Sequence, residues 1–177
     1  MSVFCDAETP DFIQQDCGVE RSGIVAVALI STDVGTPSDA NLTSDTYWNT
    51  LTGQSPALAH ILLKTRGEYP RPAVTSEEGF GRESKQNTSA DHTINWEVEG
   101  LLDNRDFFES ANRKKWKMAF ITAADLLYYV DEPVTLDGRI NNPKDIKMSA
   151  FWQVESAWTS FDNPRIVDVS ALTVFAE

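Results

Sequence analysis

The chain has 177 residues, of which 41% are hydrophobic and five are tryptophan, so it can bury one sizeable core and does not have the composition of a disordered protein. Its 27 acidic and 15 basic side chains give a formal net charge of −12, which argues against sequence-specific binding of nucleic acid. The longest apolar run, residues 23–30, is too short to span a bilayer, so no membrane partner is expected.

The first 22 residues show little periodicity, and we interpret them as an N-terminal arm or edge strand that leads into one β-rich domain at residues 23–177. The chain does not start with a basic region followed by an apolar core, so no secretory signal is expected. Cys5 and Cys17 match neither a redox pair nor a zinc site. They are predicted to be reduced thiols of a protein made in a cytoplasm.

Two apolar runs precede a long polar segment. Residues 23–31 form a β-branched run that predicts a buried strand, and residues 59–64 form a second apolar run. The stretch between them, "STDVGTPSDANLTSD", is rich in turn-forming residues. After the polar segment, His92, Ile94, Trp96 and Val98 alternate with polar residues, which predicts a half-buried strand.

One helix is predicted, in "DNRDFFESANRKK" at residues 103–115. Asp103 is the expected cap, and Asp106 places a carboxylate in the first turn. Basic residues lie at the far end, matching the helix dipole: Arg113, Lys114 and Lys115. An apolar face that should pack on a sheet is formed by Phe107, Phe108 and Ala111.

The rest of the chain predicts strands and turns. Strands are expected at residues 116–122, 126–130 and 147–158, with turns at "DEPV" and "LDGRINNP". Several strands with a single helix indicate a mainly β fold, either a β-sandwich or a partly closed barrel with one short α-helix packed on it and a long inter-strand loop.

The residues that usually carry chemistry do not form a recognisable set. His60 lies among apolar residues, and His92 follows Asp91, which could orient it in a small hydrolase. The pair Glu77-Glu78 beside a Gly-x-Gly lacks the end of a phosphate-binding loop. The acidic turns around Asp131 and Asp137 lack the calcium-loop register. We therefore expect no enzyme activity, no catalytic residue, no cofactor and no metal.

The aromatic residues leave a second functional hypothesis, a carbohydrate-binding or adhesive β-sandwich module. Such a module stacks sugars on exposed rings, and this chain has rings to offer: Trp48, Trp96, Trp116, Trp152, Trp158, Tyr128 and Tyr129. Most of them share a strand face with Ile, Val or Met, which is typical of core residues.

The polar segment at residues 64–88 is the strongest functional signal. A loop that costs ordering entropy and carries no chemistry often contacts another chain. Its charges are mixed, so one copy's basic residues can meet the next copy's acidic ones in a head-to-tail interface. The predicted contact residues are Arg66, Glu68, Arg71, Glu77, Glu78, Phe80 and Arg82. The alternative is a solvated connection.

The order of segments resembles a known class of protein. A Gly-Ile-Val strand is followed by "RGEYPRPAVTSEEGFGRES", "DHTINWEV", "DFFESANR", "WKMAFIT" and "FWQVESAW". This order resembles small structural proteins of bacteriophage virions, in particular tail-tube, tail-hub and head-to-tail connector ring proteins of phages that infect gut Bacteroidetes.

The resemblance implies a subunit made in the host bacterial cytoplasm and located in the virion. It implies that copies of the chain form a ring around a channel through which DNA passes, in contact with other tail or connector proteins. In that family long hairpin loops carry contacts between subunits, and residues 64–88 occupy the corresponding place. The resemblance implies neither catalytic residues nor a cofactor.

Overall fold

The computed structural model describes residues 22–77, 86–144, 147 and 149–175. The strands are β1 (Ile24–Ser31), β2 (Ala59–Leu62), β3 (Arg66–Glu68), β4 (Ala73–Glu77), β5 (Gln86–Val98), β6 (Lys115–Thr122), β7 (Leu126–Asn141), β8 (Phe151–Ser160) and β9 (Arg165–Asp168). The helices are α1 (Asp39–Leu42), α2 (Asp45–Thr52) and α3 (Arg105–Ala111). None of these helices has the length and apolar character needed to cross a membrane.

The nine strands form one antiparallel sheet that curls on itself. Its main path runs β2-β1-β3-β5-β8-β7-β6, and β6 pairs again with β1. Strand β4 is added beside β5, and β9 beside β7. The circuit of pairings closes between β1 and β3 through one residue pair, Ile24 and Gly67. The prediction of a mainly β fold is confirmed, in the form of a curled sheet.

The concave side of the sheet holds the larger core. The predicted alternation in β5 is confirmed, since His92, Ile94, Trp96 and Val98 are all buried. Trp96 and Trp152 are 1% and 4% exposed, as expected for rings on the apolar faces of their strands. The Trp96 N–H donates to Ser156 Oγ at 2.9 Å, so this buried indole is also satisfied in its hydrogen bonding.

A second core covers the convex side of β1. Ala26, Ala28 and Ile30 lie there, which explains why β1 reads as a continuous apolar run. Helices α1 and α2, within and just beyond the stretch predicted as turns, cover this face together with the C-terminal segment. Trp48 of α2 is fully buried, and its N–H donates to Leu42 O at 3.0 Å. The structure thus has two short helices besides the predicted one. The sequence does not predict α1 and α2 because they are short and rich in turn-forming residues.

Helix α3 confirms the predicted helix over a shorter range. It begins after Asn104, not Asp103, and the Asn104 amide donates to Gly100 O at 3.0 Å. Asp106 lies in the first turn as predicted, whereas the basic residues follow the last turn. Phe108 and Ala111 are buried against the sheet, and Phe107 is partly buried beside them.

Strand β7 runs through "DEPV" and through Asp137-Gly138, so the turns predicted at these positions are wrong, and it ends at Asn141, where the rest of the second predicted turn begins. At "DEPV" the chain forms a bulge, because Trp116 and Met118 of β6 pair with Val134 and Val130 of β7. Gly138 lies within the strand because α3 crosses it. A Cβ at Gly138 would lie 2.9 Å from the Phe108 ring, and the Asn112 side chain bonds both the N–H and the C=O of Gly138.

Candidate interaction site

The polar segment at residues 64–88 is not one loop. It contains β3, β4 and the start of β5, and residues 78–85 lie outside the described part of the chain. Strand β4 pairs with β5 from Ala73 opposite Asp91 to Glu77 opposite Gln86, with a bulge between Thr75 and Ser76. The sequence of β4 shows no alternation of apolar and polar residues because all five of its residues are exposed, and neither face needs apolar side chains. The sequence therefore does not predict this strand.

Gly67 places this segment against the domain. It pairs with Ile24 of β1 on one side and Trp96 of β5 on the other. A Cβ at Gly67 would lie 2.7 Å from both Asn95 O and Trp96 Cβ, so a side chain does not fit. The glycine therefore allows β5 to approach β3 closely, at the point where the circuit of the sheet closes.

Tyr69 anchors the segment in the concave core. Its ring stacks on Trp158 at 5.9 Å and meets Phe120 edge-on at 5.5 Å. The hydroxyl lies 2.6 Å from Nδ1 of His92. Burial raises the pKa of Tyr69 to about 12, with a smaller contribution from Tyr128. The phenol therefore stays protonated and can donate.

His92 is held from both sides. Its Nε2 lies 3.3 Å from Ser160 O, a carbonyl that can only accept, so Nε2 carries the proton and Nδ1 accepts from Tyr69. The ring is 1% exposed and stacks on Trp158 at 4.9 Å. Asp91 lies on the opposite face of β5 and accepts from Thr159 Oγ1 at 2.8 Å. The expected pairing of His92 with Asp91 is therefore absent, and Tyr69 orients the histidine instead.

His60 is also a packing residue. It contacts Phe107 and Trp116 edge-on, at centroid distances of 5.1 and 5.8 Å. Burial lowers the pKa of His60, and the charge on Lys114 lowers it further. The imidazole is thus held in its neutral form between two aromatic rings.

Beyond this anchor the chain forms a projecting ribbon. We call residues 73–77 and 86–89 the arm, which is distinct from the N-terminal arm expected at residues 1–22. Strand β8 pairs with β5 only from Ala90 onward. Ala73 and Val74 therefore lie beside residues of β5 that also pair with β8, and from Thr75 onward the two strands of the arm pair with each other and with no other described strand. Asn87 and Thr88 are exposed, like all of β4. An isolated two-stranded ribbon is marginally stable in water, so the arm depends on its anchor or on a partner.

The predicted contact residues fall into three groups: one is ion-paired within the chain, some are exposed, and the others lie outside the described residues. Arg66 is paired within the chain, with its Nη2 and Nε 2.6 and 3.0 Å from the same oxygen of Glu97. Glu68, Arg71 and Glu77 are exposed. Glu78, Phe80 and Arg82 lie outside the described residues, as do Cys5 and Cys17. Sequence reasoning missed Tyr69 and Gly67, although Tyr69, one of two aromatic residues in this polar stretch, is a usable signal for an anchor.

The aromatic side chains do not form an exposed platform of tryptophans. All five indoles are buried, and Phe161 is the one aromatic among the exposed large hydrophobic residues of the described chain. The tryptophans therefore give the carbohydrate-binding hypothesis no support. Within the described ranges, no three Asp, Glu, His or Cys side chains come together in a way that could hold a metal ion.

The arm and its aromatic anchor, Tyr69, are therefore the candidate interaction site. No protein-family model, curated protein or solved structure matches this chain.

Proposed function

We propose that this chain is a structural subunit that assembles with copies of itself through the arm. The observation that carries the proposal is the exposure of β4, whose five residues are all open to solvent and include Val74 at 50%. A ribbon anchored at one end and uncovered on both faces suits contact with a second molecule.

The form of the contact follows from the position of the arm. Because the arm projects from one edge of the domain, it would meet a different surface on the next copy. Such a heterologous contact generates a ring if the rotation closes. Arg71 is an exposed cation beside the arm in a chain with a formal charge of −12, so a carboxylate on the neighbour is a suitable partner.

We further propose that this ring belongs to a bacteriophage tail or head-to-tail connector, as the order of sequence segments implies. The exposed face of β5, β7 and β8 is the candidate channel wall. On this face Asp137 lies directly opposite Glu155. Arg139, on the same face of β7, pairs with Asp137 at 2.6 Å, so Glu155 is the carboxylate of this pair that would repel DNA phosphates and let DNA pass without sequence-specific binding.

The test compares two exposed apolar residues that differ in their location. Val74 of the arm and Ile166 of β9 are 50% and 51% exposed. Val74→Glu and Ile166→Glu should each change the stability of the monomer by less than about 0.5 kcal/mol, because both sites are on the surface. Sedimentation velocity and particle imaging then measure assembly.

We expect the wild-type chain and Ile166→Glu to assemble and Val74→Glu to remain monomeric. Equal assembly of the two variants would remove the arm from the interface. A wild-type chain that stays monomeric at every accessible concentration, and shows no particles, would contradict self-assembly itself.

A further inference from the structure

The proposed assembly needs a surface on the next copy that receives the arm, and the path of β5 indicates where that surface lies. Strand β5 begins in the arm, where it pairs with β4, and ends at Val98, which lies opposite Trp152 of β8. We call the surface around this end the far end, and it comprises Lys64, Val98–Leu102, Ile140 and Phe151. The arm and the far end are separated by the length of a 13-residue strand, so a copy displaced along β5 would present its far end to the arm of its neighbour.

The far end exposes two large apolar side chains. Leu102 follows the end of β5 by four residues and is 90% exposed, and Ile140 is 55% exposed. Ile140 lies opposite Trp152, which in turn lies opposite Val98, so Ile140 is level with the end of β5. Two such side chains at one end of a sheet are suited to burial against another protein surface.

A cleft of about 370 Å³ opens at the far end. Its walls include Val98 and Phe151, and its charged residues are Lys64, Arg66, Glu97 and Glu99. Arg66 is already bonded to Glu97, with Nη2 2.6 Å from Oε2. Lys64 is exposed and forms no ion pair with any described residue. Because Glu99 makes the charge of the cleft mixed, a carboxylate from a partner would be drawn to Lys64 and not to the cleft as a whole.

The backbone of Lys64 gives a second reason to consider this residue. Its φ is 57°, in the left-handed region that glycine and asparagine adopt more readily than lysine. The local backbone therefore does not explain why a lysine stands at this position. A side chain kept where the backbone conformation does not favour it is a candidate for a functional role, and here that side chain places an ammonium group in the wall of a cleft.

The arm carries the complementary charge. Among residues 73–77 and 86–89, Glu77 is the only charged residue. Its side chain is exposed, and it forms no ion pair within the described ranges. A neighbour's arm would therefore offer one carboxylate to Lys64.

We propose that the arm of one copy docks at the far end of the next copy, where Glu77 pairs with Lys64 and the side chains of Leu102 and Ile140 become buried. This inference rests on the proposed assembly function and adds to it the surface that receives the arm. It makes the interface heterologous, because the arm and the far end are different surfaces of one chain.

Two variants with complementary defects test the proposal. Val74→Glu damages the arm, Leu102→Glu damages the far end, and Ile166→Glu is the control at another exposed apolar site. In sedimentation velocity, each of the first two should be monomeric at concentrations where the wild type and the control assemble. Mixed in equal amounts, they should form a dimer and nothing larger, because each pair of chains then has one intact arm that can meet one intact far end.

The outcomes separate this inference from the proposed function. A Leu102→Glu chain that folds and assembles like the wild type would overturn the inference and leave assembly through the arm intact, since Val74→Glu tests that separately. A mixture that stays monomeric while the wild type assembles would also overturn it. If the wild-type chain does not assemble at all, the proposed function fails, and the inference fails with it.

A charge exchange tests the predicted ion pair even if Leu102→Glu fails to fold. Lys64→Glu and Glu77→Lys should each raise the concentration needed for half-assembly by at least about threefold, and the chain with both changes should recover the wild-type value. The matched control combines Glu77→Lys with Arg113→Glu, which changes another exposed cation, and should show no recovery. Equal behaviour of the two double variants would contradict the pairing of Glu77 with Lys64.

Discussion

The hydrogen bond between Tyr69 and His92 gives the most direct test of how the arm is held. In Tyr69→Phe the ring contacts remain and only the hydroxyl is lost. His92 Nδ1 then has no donor, and because this side chain is 1% exposed, solvent does not replace the lost group. An unsatisfied buried acceptor costs about 1–3 kcal/mol in the free energy of unfolding.

Tyr128→Phe is the matched control. Tyr128 belongs to the same aromatic cluster and stacks on Phe120 at 4.8 Å, but its hydroxyl makes no hydrogen bond to any described residue. We expect this control to change the free energy of unfolding by less than about 0.5 kcal/mol. Both substitutions remove one oxygen from a half-buried tyrosine, so the difference between them isolates the bond to His92.

Urea denaturation followed by tryptophan fluorescence measures both free energies. Hydrogen exchange at Ala73–Glu77 shows whether the arm loosens together with its anchor. If Tyr69→Phe is no less stable than Tyr128→Phe, the hydroxyl does not donate to His92, and the account of the anchor is wrong.

Three further predictions follow from the core and from the tyrosines. Trp96→Ala should lower the free energy of unfolding by about 3–5 kcal/mol, because a fully buried ring and its bond to Ser156 are lost; a loss below 1 kcal/mol would contradict the burial. Gly67→Ala should cost about 1–3 kcal/mol, measured by the same denaturation, because its Cβ would lie 2.7 Å from Trp96 Cβ; an unchanged midpoint would contradict this close approach. Stability should also fall as pH rises from 10 toward about 12, because burial raises the pKa of Tyr69 in the folded chain above its ordinary value of 10.0, so the unfolded chain loses that proton first. Tyr69→Phe should weaken this alkaline loss without abolishing it, since burial also raises the pKa of Tyr129, and an unchanged pH profile would argue against the burial of Tyr69.

The sequence predicts those elements whose residues repeat with a clear period. Strand β5 and helix α3 were found because one face of each is apolar. The sequence predicts a loop at the arm because exposure of both faces removes any alternation of apolar and polar residues. The sequence predicts a turn at Gly138 because the residue that requires a glycine there, Phe108, lies 30 residues away in the chain. Contacts of this kind leave no local signal.

The sequence likewise predicts some properties of the candidate site and not others. Its position and polarity follow from composition, so residues 64–88 could be singled out from the sequence. The roles of single residues depend on tertiary contacts. Nothing in the local sequence distinguishes Arg66 from Arg71. Glu97 forms an ion pair with Arg66 because β3 lies beside β5 in the sheet.

The burial of β1 on both faces has a consequence for how the chain reaches its native state. Strand β1 is among the first elements in the chain, but its longest pairing is with β6, where Ile24 lies opposite Thr122. During synthesis this apolar strand is made well before β6 is available to cover its edge. Pairings between segments so distant in sequence form slowly, and an unpaired apolar strand is prone to aggregate in the meantime. We therefore expect refolding yield to fall steeply with protein concentration, and to recover when a chaperone that holds extended apolar segments is present.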